Sequence, residues 1–488
     1  MTDSVRVRIA PSPTGYLHLG LARTALFNWL FARRNKGTFI FRIDDTDVAR
    51  STEESLRQIL DSFKWLGIDW DEGIEKGGDY GPYIQSQRLH IYNEYALKMI
   101  DMGKAYYCYC TQEELEEERK KAQEKHEPYI YSGKCRNLTA EQKIKYESEG
   151  RKPSIRLKVD DKIIVVKDLV KGDVEFRTGL LGDFIIVRPS GMPMYNFASA
   201  IDDMLMKITH IIRADEHLSN TPKQILIYEA FDCPLPEFAH VPLVLGSKGE
   251  KLSKRHGATS IEEYRKAGYL PSAMLNYLAR LGWSLDDERE IFSIDELIEN
   301  FSLDRVGKAG SIFDQQKLMW LNGQYIMKMD IDERTKAVLP FLREAGFIGE
   351  NITPEQYEWI KKIVIAVGER LKLLSQINDY AGFFFADKIE YDKEAVDKIL
   401  KKDNIPAILE KLKEKFQNTE PFDEPNLENA IKASGDELGI NPGKQIQPLR
   451  VALTGKSVGP GIFETLTLLG REKVIKRIND ALEMLKNY

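Results

Sequence analysis

The first residues that could do chemistry lie between an apolar strand and an amphipathic helix, in the stretch RIAPSPTGYLHLG. Pro11, Pro13 and Gly15 end the strand, and His18 and Gly20 stand at the start of the helix. A helix N-terminus presents unpaired amides that bind an anion such as a phosphate. Gly20 would let a base or a phosphate approach the backbone, and His18 could donate a hydrogen bond to phosphate oxygens. A capping or packed histidine is the structural alternative.

A second candidate site is the lysine-rich stretch LGSKGEKLSKRHGATS. Lys248, Lys251, Lys254 and Arg255 are separated by small residues such as Ser253, so several cationic groups can converge on one polyanion. If this loop closes over a triphosphate, it stabilises the charge that develops as pyrophosphate leaves. A solvated basic loop is the alternative interpretation.

The elements that position these residues are predicted from the periodicity of apolar side chains. Residues 1–105 alternate between strand-like and helix-like stretches, which favours a parallel α/β sheet. In the opening strand, apolar residues alternate with Arg6 and Arg8, so we expect one buried face and an Arg8 that points away from the core. A charged helix bracketed by cysteines follows, interpreted as a solvated helix in an insertion. From about residue 260 onward almost every periodic segment is helical.

Length and composition set the class of protein. A chain of 488 residues is too long for one core and should hold three or more packing units. With 42% hydrophobic and 30% charged residues, no apolar membrane span and no export signal, it is predicted to be cytoplasmic with no membrane partner. The four cysteines fit a reducing compartment better than a disulfide framework. The net charge of -6 argues against an extended basic coat but permits a local basic groove for nucleic acid.

Taken together, His18-Leu19-Gly20 and Lys251-Leu252-Ser253-Lys254-Arg255 resemble the HIGH and KMSKS signatures of class I aminoacyl-tRNA synthetases. Longer stretches resemble bacterial glutamyl-tRNA synthetases in order and spacing, from about residue 5 to the last helix. Glutaminyl enzymes differ because they carry a PEPNG-type loop where this chain has PSPTG, and they end in β-barrels. The stretches that carry the resemblance are RIAPSPTGYLHLG, FRIDDTD, GPYIQSQR, YNFASAIDD, THIIRADEH, SNTPKQ, KLSKR and PLRVALTG.

The resemblance implies an α/β class I synthetase with a Rossmann-type catalytic domain, an inserted acceptor-binding domain and an all-α C-terminal anticodon-binding half. The implied domains are the first half of the catalytic domain at 1–105, a connective insertion that binds the tRNA acceptor end at 106–185, the second half of the catalytic domain at 186–245, a KMSKS loop and stem-contact domain at 246–325, and a helical anticodon-binding region at 326–488.

The implied reaction is the ligation of glutamate to tRNA(Glu). The α-carboxylate of L-glutamate attacks the α-phosphorus of ATP, and the terminal ribose hydroxyl of the tRNA then takes the glutamyl group from glutamyl-adenylate. Magnesium is expected to arrive with ATP. Such a displacement needs alignment and charge neutralisation more than a protein nucleophile, and no nucleophilic triad stands out in the sequence. The implied catalytic residues are His18, Gly20, Lys251, Ser253 and Lys254, and the implied ATP-binding residues are Pro11, Ser12, Thr14, Gly15, His18, Gly20 and Lys254.

A pocket selective for glutamate needs two cationic partners and one acid. By the resemblance, Arg8 would hold the side-chain carboxylate with its fork on both oxygens, and Arg213 would pair with the α-carboxylate. A glutamine would leave one arginine desolvated and without its counter-charge. An ordinary surface ion pair is the alternative for each arginine. The implied glutamate-binding residues are Arg8, Ser12, Asp44, Tyr195 and Arg213.

Two pocket positions depart from the commonest family pattern. Asp44 stands where many relatives carry glutamate, the acid expected near the substrate ammonium, and Ser199 stands where some have asparagine. The shorter Asp44 leaves a gap that a water or a slight shift would fill. A divalent-metal site at Asp44, Asp45 and Asp47 is the rival interpretation of this acidic run.

The insertion resembles a segment that binds zinc in some relatives. Cys108, Cys110 and Cys135 would supply three thiolates, and Asn137 stands where a histidine would be the fourth ligand. Tyr131 is the candidate replacement, as a tyrosine is in a related enzyme. Three free thiols left from an ancestral site are the alternative.

The helical half is expected to bind the anticodon stem and loop, where arginines contact splayed bases. Arg370 matches a family arginine associated with the third anticodon base, and Arg450 is a further tRNA-binding candidate; a solvated helix face is the alternative for Arg370. Arg370 favours an enzyme that charges tRNA(Glu) alone over a relaxed enzyme that also charges tRNA(Gln). The expected partners are tRNA(Glu), L-glutamate and ATP, and the expected oligomeric state is a monomer.

Two other classes of function remain as alternatives. A small-molecule nucleotidyltransferase shares the histidine-containing strand, loop and helix but would not need the long helical tail. A tRNA-binding paralogue without charging activity would be expected to lose His18 or Lys254, and both are present.

Overall fold

The computed structural model describes residues 4–46, 51–252, 259–286 and 288–486. They form two compact units, the first built from Met1–Tyr264 and Met274–Gln315 and the second from Arg265–Ala273 and Gln316–Tyr488. None of the helices in these described ranges has the length and apolar character needed to cross a membrane.

The described strands lie in the first unit. They are β1 (Arg6–Ile9), β2 (Thr38–Phe41), β3 (Glu72–Gly73), β4 (Ala105–Cys108), β5 (Ser154–Leu157), β6 (Ile163–Asp168), β7 (Gly172–Arg177), β8 (Ile185–Val187), β9 (His210–Ala214), β10 (Glu237–Val241), β11 (Val244–Leu245) and β12 (Ser311–Ile312).

The described α-helices occur in both units. Those up to the end of the first unit are α1 (Leu19–Arg34), α2 (Glu53–Leu66), α3 (Leu89–Asp101), α4 (Gln112–Glu124), α5 (Ala140–Ser148), α6 (Tyr195–Leu205), α7 (Thr221–Ala230), α8 (Ile261–Lys266), α9 (Pro271–Arg280) and α10 (Ile294–Asn300). Those that follow are α11 (Gln315–Lys328), α12 (Ile331–Glu344), α13 (Pro354–Val367), α14 (Ile377–Phe385), α15 (Lys393–Ala395), α16 (Ile405–Gln417), α17 (Glu424–Leu438), α18 (Gly443–Thr454) and α19 (Ile462–Lys486).

Parallel strands form the centre of the first unit. β1, β2 and β3 pair in parallel, and β9, β10 and β6 form a second parallel set that ends in the antiparallel β7. The backbone N–H of Thr209, just before β9, donates to the carbonyl of Arg6 over 2.9 Å, so β1 runs beside β9. The strands therefore follow the spatial order β3-β2-β1-β9-β10-β6-β7, which suits a nucleotide-binding α/β domain. The predicted fold class is confirmed.

The predicted exposure of Arg8 is wrong. Val7, Arg8 and Ile9 of β1 are all buried, because β1 is a central parallel strand covered on both faces. The alternation of arginines with apolar residues therefore reflects two buried environments, one apolar and one charged. Arg8 is tolerated inside because a carboxylate, Asp203, pairs with it.

The predicted insertion at 106–185 supplies most of a separate antiparallel sheet, β4-β5-β8, and the charged helix α4, while β6 and β7 of the same range join the central strands. Every residue of α4 is exposed or half-buried, as predicted for a solvated helix. Its first turn is closed by Thr111, whose hydroxyl accepts from the N–H of Glu114 while the Glu114 carboxylate accepts from the N–H of Thr111. This reciprocal cap lets a helix without a buried face begin at a defined residue.

The second unit is an all-helical bundle with one apolar core. α16, α17, α18 and α19 pack on one another, and α12, α13 and α14 form the other part of the same core. Buried aliphatic and aromatic residues such as Leu412, Phe416 and Ile478 fill its centre.

Candidate active site

A cavity of about 560 Å³ opens in the first unit beside β1, β9 and the start of α1. Its wall includes most of the side chains that the sequence proposes for ATP and glutamate. Those present are Arg8, His18, Gly20, Asp44, Tyr195, Ser199, Arg213 and Lys251. The described wall does not include Pro11, Ser12, Thr14 or Gly15, although the structure describes these residues. The other two predicted residues, Ser253 and Lys254, lie outside the described residues.

The HLG motif occupies the position expected for an anion site. His18 is the N-cap of α1, with extended backbone, and its exposed imidazole makes no capping hydrogen bond. The alternative of a capping or packed histidine is therefore wrong. Among the described residues, and apart from its chain neighbours and the backbone of α1 itself, a Cβ built on Gly20 would meet no heavy atom within 4 Å. Gly20 is thus not required by internal packing, and the space beside it is open to a ligand.

The start of α1 and the residues around Ser260 meet through the backbone. The N–H of Leu19 donates to the carbonyl of Thr259 over 3.0 Å, and the N–H of Ile261 donates to the carbonyl of Leu17 over 2.9 Å. The residues that follow the lysine-rich stretch are thereby fixed to the residues that precede α1. This pairing holds the far end of the lysine-rich loop at the mouth of the cavity.

Lys251 lies in the wall with its ammonium 2.6 Å from a carboxylate oxygen of Glu216. The two side chains are 65% and 45% exposed, and an exposed pair of this kind contributes only about 0–1 kcal/mol. Lys251 can therefore leave Glu216 for a phosphate at little cost.

A buried ion network forms the floor of the cavity. Asp203 bonds Arg8 through two contacts, from Nε and Nη2 over 3.0 and 3.1 Å, and it also accepts from Arg42 over 2.7 Å. The members of the network are Arg8, Arg42, Arg88, Asp44, Asp202 and Asp203. The three guanidinium and three carboxylate charges balance when all are ionised. Asp203 occupies the Nε and Nη2 edge of Arg8, and the end-on edge formed by Nη1 and the second hydrogen of Nη2 remains for a ligand, so the grip of Arg8 on both substrate oxygens stays a prediction.

Asp44 links the network to the cavity. Its carboxylate accepts from Arg42 over 2.7 and 3.2 Å, and its backbone carbonyl accepts from the hydroxyl of Ser12 over 2.8 Å. Burial raises the pKa of Asp44 to about 6, against the opposing effect of Arg42. Asp44 is therefore an acid poised near neutrality in a wall otherwise rich in cations.

The rival interpretation of the acidic run as a metal site is not supported by the two described residues. Asp44 is committed to Arg42, and the carboxylate of Asp45 accepts from the N–H and the hydroxyl of Ser86 over 2.7 and 2.6 Å. Asp47 lies outside the described residues. Within the described ranges, the grouping with metal-ligand spacing is formed by cysteines instead.

Arg213 has incomplete bonding, as does Arg23 of the same wall, whose Nε is also buried without a hydrogen-bond partner among the described atoms. The Nε of Arg213 donates to His240 over 3.0 Å and its Nη2 donates to Thr221 over 2.7 Å, while its Nη1 is buried and has no hydrogen-bond partner among the described atoms. Burial lowers the pKa of Arg213 from its ordinary value. An unpaired buried guanidinium nitrogen is costly, and an anion in the cavity would satisfy it.

Two family descriptions match the chain. Residues 4–320 match "tRNA synthetases class I (E and Q), catalytic domain", and residues 333–482 match "Anticodon binding domain". The chain is 52% identical to glutamate–tRNA ligase 1 of Caldanaerobacter subterraneus subsp. tengcongensis, over 100% of this chain and 99% of that protein. It is 49% identical to the glutamate–tRNA ligase of Moorella thermoacetica, over 99% of each chain. The chain belongs to the class I glutamate–tRNA ligase family.

Solved structures of glutamate–tRNA ligases agree with this membership. The crystal structure of the enzyme from Elizabethkingia meningosepticum, in complex with its amino acid, superposes with a TM-score of 0.88 at 36% identity and covers 99% of this chain and 100% of that one. The predicted family, function class and enzyme class are confirmed. Reactions of this family use ATP, typically with Mg²⁺.

Tyr195 and His217 face each other in the wall of this ligase-family site. Their rings lie 5.9 Å apart, with Tyr195 at the first position of α6. Burial, followed by the charge of Arg213, lowers the pKa of His217 to about 4, so this imidazole is neutral at pH 7. Ser199, which is shorter than the asparagine of some relatives, accepts a hydrogen bond from Arg42 over 3.4 Å and so contacts the charged floor.

Several site residues were not predicted from the sequence. The carboxylates of Asp202 and Asp203 end an otherwise apolar segment, and His240 interrupts the apolar strand β10. A charged or polar residue inside an apolar element is the signal that could have identified them. Their partners were not deducible, since Arg8 and Asp203 are 195 residues apart.

The insertion of this ligase-family chain brings the predicted zinc ligands together. The sulfurs of Cys108, Cys110 and Cys135 lie within 4.8 Å of one another. The phenol oxygen of Tyr131 lies 3.4 Å from the sulfur of Cys108 and 3.5 Å from that of Cys110, and the Arg156 guanidinium sits 3.7 Å from the centre of its ring. Three soft sulfur donors and one oxygen donor make a four-ligand set that fits zinc.

The two candidate tRNA-binding arginines lie in the second unit. Arg370 is exposed at the end of the short helix Gly368–Arg370, and among the described residues it has no carboxylate partner. Arg450 is half-buried in α18 and donates to the carbonyl of Pro460. Burial lowers the pKa of Arg450, and the nearby charge of Arg370 lowers it further. The two cations are thus neighbours.

Proposed function

We propose that this chain activates L-glutamate with ATP in the cavity between β1, β9 and α1 and transfers the glutamyl group to tRNA(Glu). The observation that carries the proposal is Arg213, a buried guanidinium in the cavity wall with one nitrogen unpaired. A carboxylate that approaches from the cavity would satisfy this nitrogen.

The proposed pocket binds glutamate at three points. Arg213 binds the α-carboxylate, Arg8 binds the side-chain carboxylate through the edge that contains Nη1, and Asp44 attracts the ammonium. Tyr195 and Ser12 lie beside these three residues. The floor is neutral as a network, so Arg213 supplies the excess positive charge that favours a ligand with two carboxylates. Glutamine would leave Arg8 without a counter-charge, which is a strong basis for rejection.

The proposed ATP site uses the open space beside Gly20 and the exposed imidazole of His18. His18 donates to phosphate oxygens, and Lys251 exchanges Glu216 for the polyphosphate as charge develops on the leaving group. Magnesium bound with ATP would neutralise phosphate charge. Lys254, Ser253 and the loop residues Pro11, Thr14 and Gly15 remain predicted contributors.

The insertion is proposed to bind one zinc ion through Cys108, Cys110, Tyr131 and Cys135. Zinc would fasten the end of β4 to the segment around Cys135 and so stabilise the part of the insertion expected to contact the tRNA acceptor end.

The helical half is proposed to bind the anticodon loop of tRNA(Glu) through Arg370 and Arg450. Two neighbouring cations with one exposed guanidinium suit contact with a phosphate or a splayed base. We favour a discriminating enzyme, and an enzyme that also charges tRNA(Gln) is the alternative. We expect a cytoplasmic, monomeric enzyme. Size-exclusion chromatography with light scattering should therefore give a mass near 56.0 kDa.

ATP–pyrophosphate exchange, with tRNA(Glu) present, tests the proposed pocket. Exchange should depend on glutamate and not on glutamine or aspartate. Arg213→Ala should abolish most of it, in protein that circular dichroism shows to be folded. Full exchange by Arg213→Ala would contradict the pocket assignment.

A further inference from the structure

Arg213 is held by a buried chain of side chains that comes from two neighbouring strands. His240 of β10 stands beside Arg213 of β9 in parallel register, and its Nε2 accepts from the Arg213 Nε over 3.0 Å. On the other side of the imidazole, Nδ1 lies 2.6 Å from a carboxylate oxygen of Asp168, at the end of β6. The His240 and Asp168 side chains are both 0% exposed.

The hydrogen bonds assign the protons of this chain. The guanidinium can only donate, so Nε2 of His240 must carry the lone pair and Nδ1 must carry the hydrogen that is donated to Asp168. Burial lowers the pKa of His240, which keeps the imidazole neutral. Thr221 completes the arrangement, since its hydroxyl accepts from Nη2 of Arg213 over 2.7 Å and lies 3.0 Å from Nε2 of His240.

Asp168 is itself fixed by the backbone. One of its oxygens accepts from the N–H groups of Val170 and Lys171 over 2.9 and 2.7 Å, and the backbone N–H of His240 lies 3.0 Å from the other. Although burial acts to raise the pKa of Asp168, these bonds and the His240 ring hold it below its ordinary value. The carboxylate is therefore an anchored, ionised acceptor for the imidazole.

The two pocket arginines are thus held in different ways. Arg8 is bonded directly by the carboxylate of Asp203, which neutralises it. Arg213 is bonded by a neutral nitrogen and a hydroxyl, and the compensating carboxylate of Asp168 stands one imidazole away. This arrangement fixes the plane of the guanidinium while leaving its charge and its Nη1 for a ligand.

We propose that Asp168 and His240 are positioning residues that aim Arg213 at the α-carboxylate of the amino acid. The inference rests on the proposed role of Arg213. Without the lone pair of His240, the Nε–H of Arg213 becomes an unsatisfied buried donor, and the guanidinium loses its fixed orientation.

The variants separate positioning from packing. His240→Phe removes the acceptor and keeps a ring, whereas His240→Gln retains an oxygen acceptor for Arg213 and an N–H donor for Asp168. Asp168→Asn keeps an oxygen for the amides of Val170 and Lys171 but cannot accept from Nδ1, so the imidazole proton moves to the side that faces Arg213. His210→Gln is the control, because His210 lies on β9 and bonds only its neighbour Thr209 among the described side chains.

The assay compares two ligands in pyrophosphate exchange with tRNA(Glu): L-glutamate as substrate, and the amino alcohol with CH2OH in place of the α-carboxylate as competitive inhibitor. We expect His240→Phe and Asp168→Asn to raise KM for glutamate about tenfold or more, the scale of a lost buried hydrogen bond to a charged group. The inhibition constant of the amino alcohol and KM for ATP should change less than about twofold, since neither contact is lost. His240→Gln should recover most of the loss, and His210→Gln should change neither value.

Arg213→Lys separates failure of this inference from failure of the proposed pocket. If Arg213→Lys leaves the ratio of KM for glutamate to the inhibition constant of the amino alcohol unchanged, the proposed role of Arg213 is wrong. If it changes that ratio while His240→Phe and Asp168→Asn do not, the pocket stands and the positioning role is overturned. The positioning role would also be overturned if Asp168→Asn, shown to be folded by circular dichroism, weakened the binding of both ligands equally. If His240→Phe does not fold, the result for Asp168→Asn decides whether the positioning role stands.

Discussion

Replacing Arg8 by glutamine tests the charged floor of the cavity. The substitution removes both bonds from Arg8 to Asp203, of which the bond to Oδ2 has no replacement in the network, while Oδ1 keeps Arg42. Three carboxylates then face two guanidinium groups, so the balanced floor acquires a net negative charge. A negative floor repels the side-chain carboxylate of glutamate, and the substrate also loses its proposed partner.

The magnitude follows from the burial of the pair. Arg8 and Asp203 are only 5% and 1% exposed, so water cannot replace the missing partner. The same burial applies to the proposed pair of Arg8 with the substrate carboxylate, and truncating one member of such a pair across a binding interface costs about 2–5 kcal/mol. At about 1.4 kcal/mol per factor of ten, we expect kcat/KM for glutamate to fall by about 30-fold to about 4,000-fold.

The assay is pyrophosphate exchange at saturating ATP with tRNA(Glu), with glutamate as substrate and glutamine as inhibitor. Arg8→Gln should weaken glutamate far more than glutamine, because only glutamate carries the second carboxylate. Arg88→Gln is a matched control: it removes a buried cation from the same network, at Asp202, but Arg88 is outside the described cavity wall. It changes the charge of the network equally but removes no proposed substrate partner, so it should lower thermal stability with a smaller effect on kcat/KM. An Arg8→Gln enzyme with unchanged glutamate kinetics would refute the reasoning.

Four further predictions concern Asp44, Gly20 and Cys135. Burial raises the pKa of Asp44 from 3.8 to about 6. The contribution of Asp44 to the free energy of unfolding is therefore full below pH 3.8 and is lost as pH rises through about 6. Asp44→Asn should flatten the pH dependence of the free energy of unfolding, measured by urea denaturation between pH 4 and 7. The same pKa predicts that KM for glutamate rises below pH 6 as the proposed ammonium partner is protonated, and a flat profile would contradict this role. Gly20→Ala should leave thermal stability unchanged or slightly raised, because its Cβ meets no atom of another described segment, but should raise KM for ATP; an unchanged KM would contradict close approach of the nucleotide. Cys135→Ser should lower bound zinc from one equivalent to near zero in elemental analysis, whereas Cys233→Ser, outside the cluster, should not.

Local patterns predicted the parts of the site that are continuous in sequence. The prolines and glycine after β1 and the apolar stripe of α1 placed His18 at a helix start, and the structure has it as the N-cap. The resemblance of Cys108, Cys110 and Cys135 to a zinc site of some relatives predicted a cluster, and the structure brings the three sulfurs together.

Contacts between distant strands could not be predicted in the same way. The alternation in β1 indicated one exposed face, and Arg8 is buried because β9 and α6 supply a charged environment on that side. The position of His240 beside Arg213 depends on the register of β9 and β10, which are joined through α7. Periodicity identifies each strand but does not determine which polar residues of two strands meet.

The most direct test of the account is aminoacylation with labelled glutamate, ATP and magnesium, using purified tRNA(Glu) and tRNA(Gln) in parallel. The account predicts charging of tRNA(Glu), with little charging of tRNA(Gln) and loss of charging in Arg213→Ala. Charging of both tRNAs would show a relaxed enzyme and remove the proposed discriminating role of Arg370. Binding of tRNA(Glu) without any charging would contradict the central claim that this cavity activates glutamate.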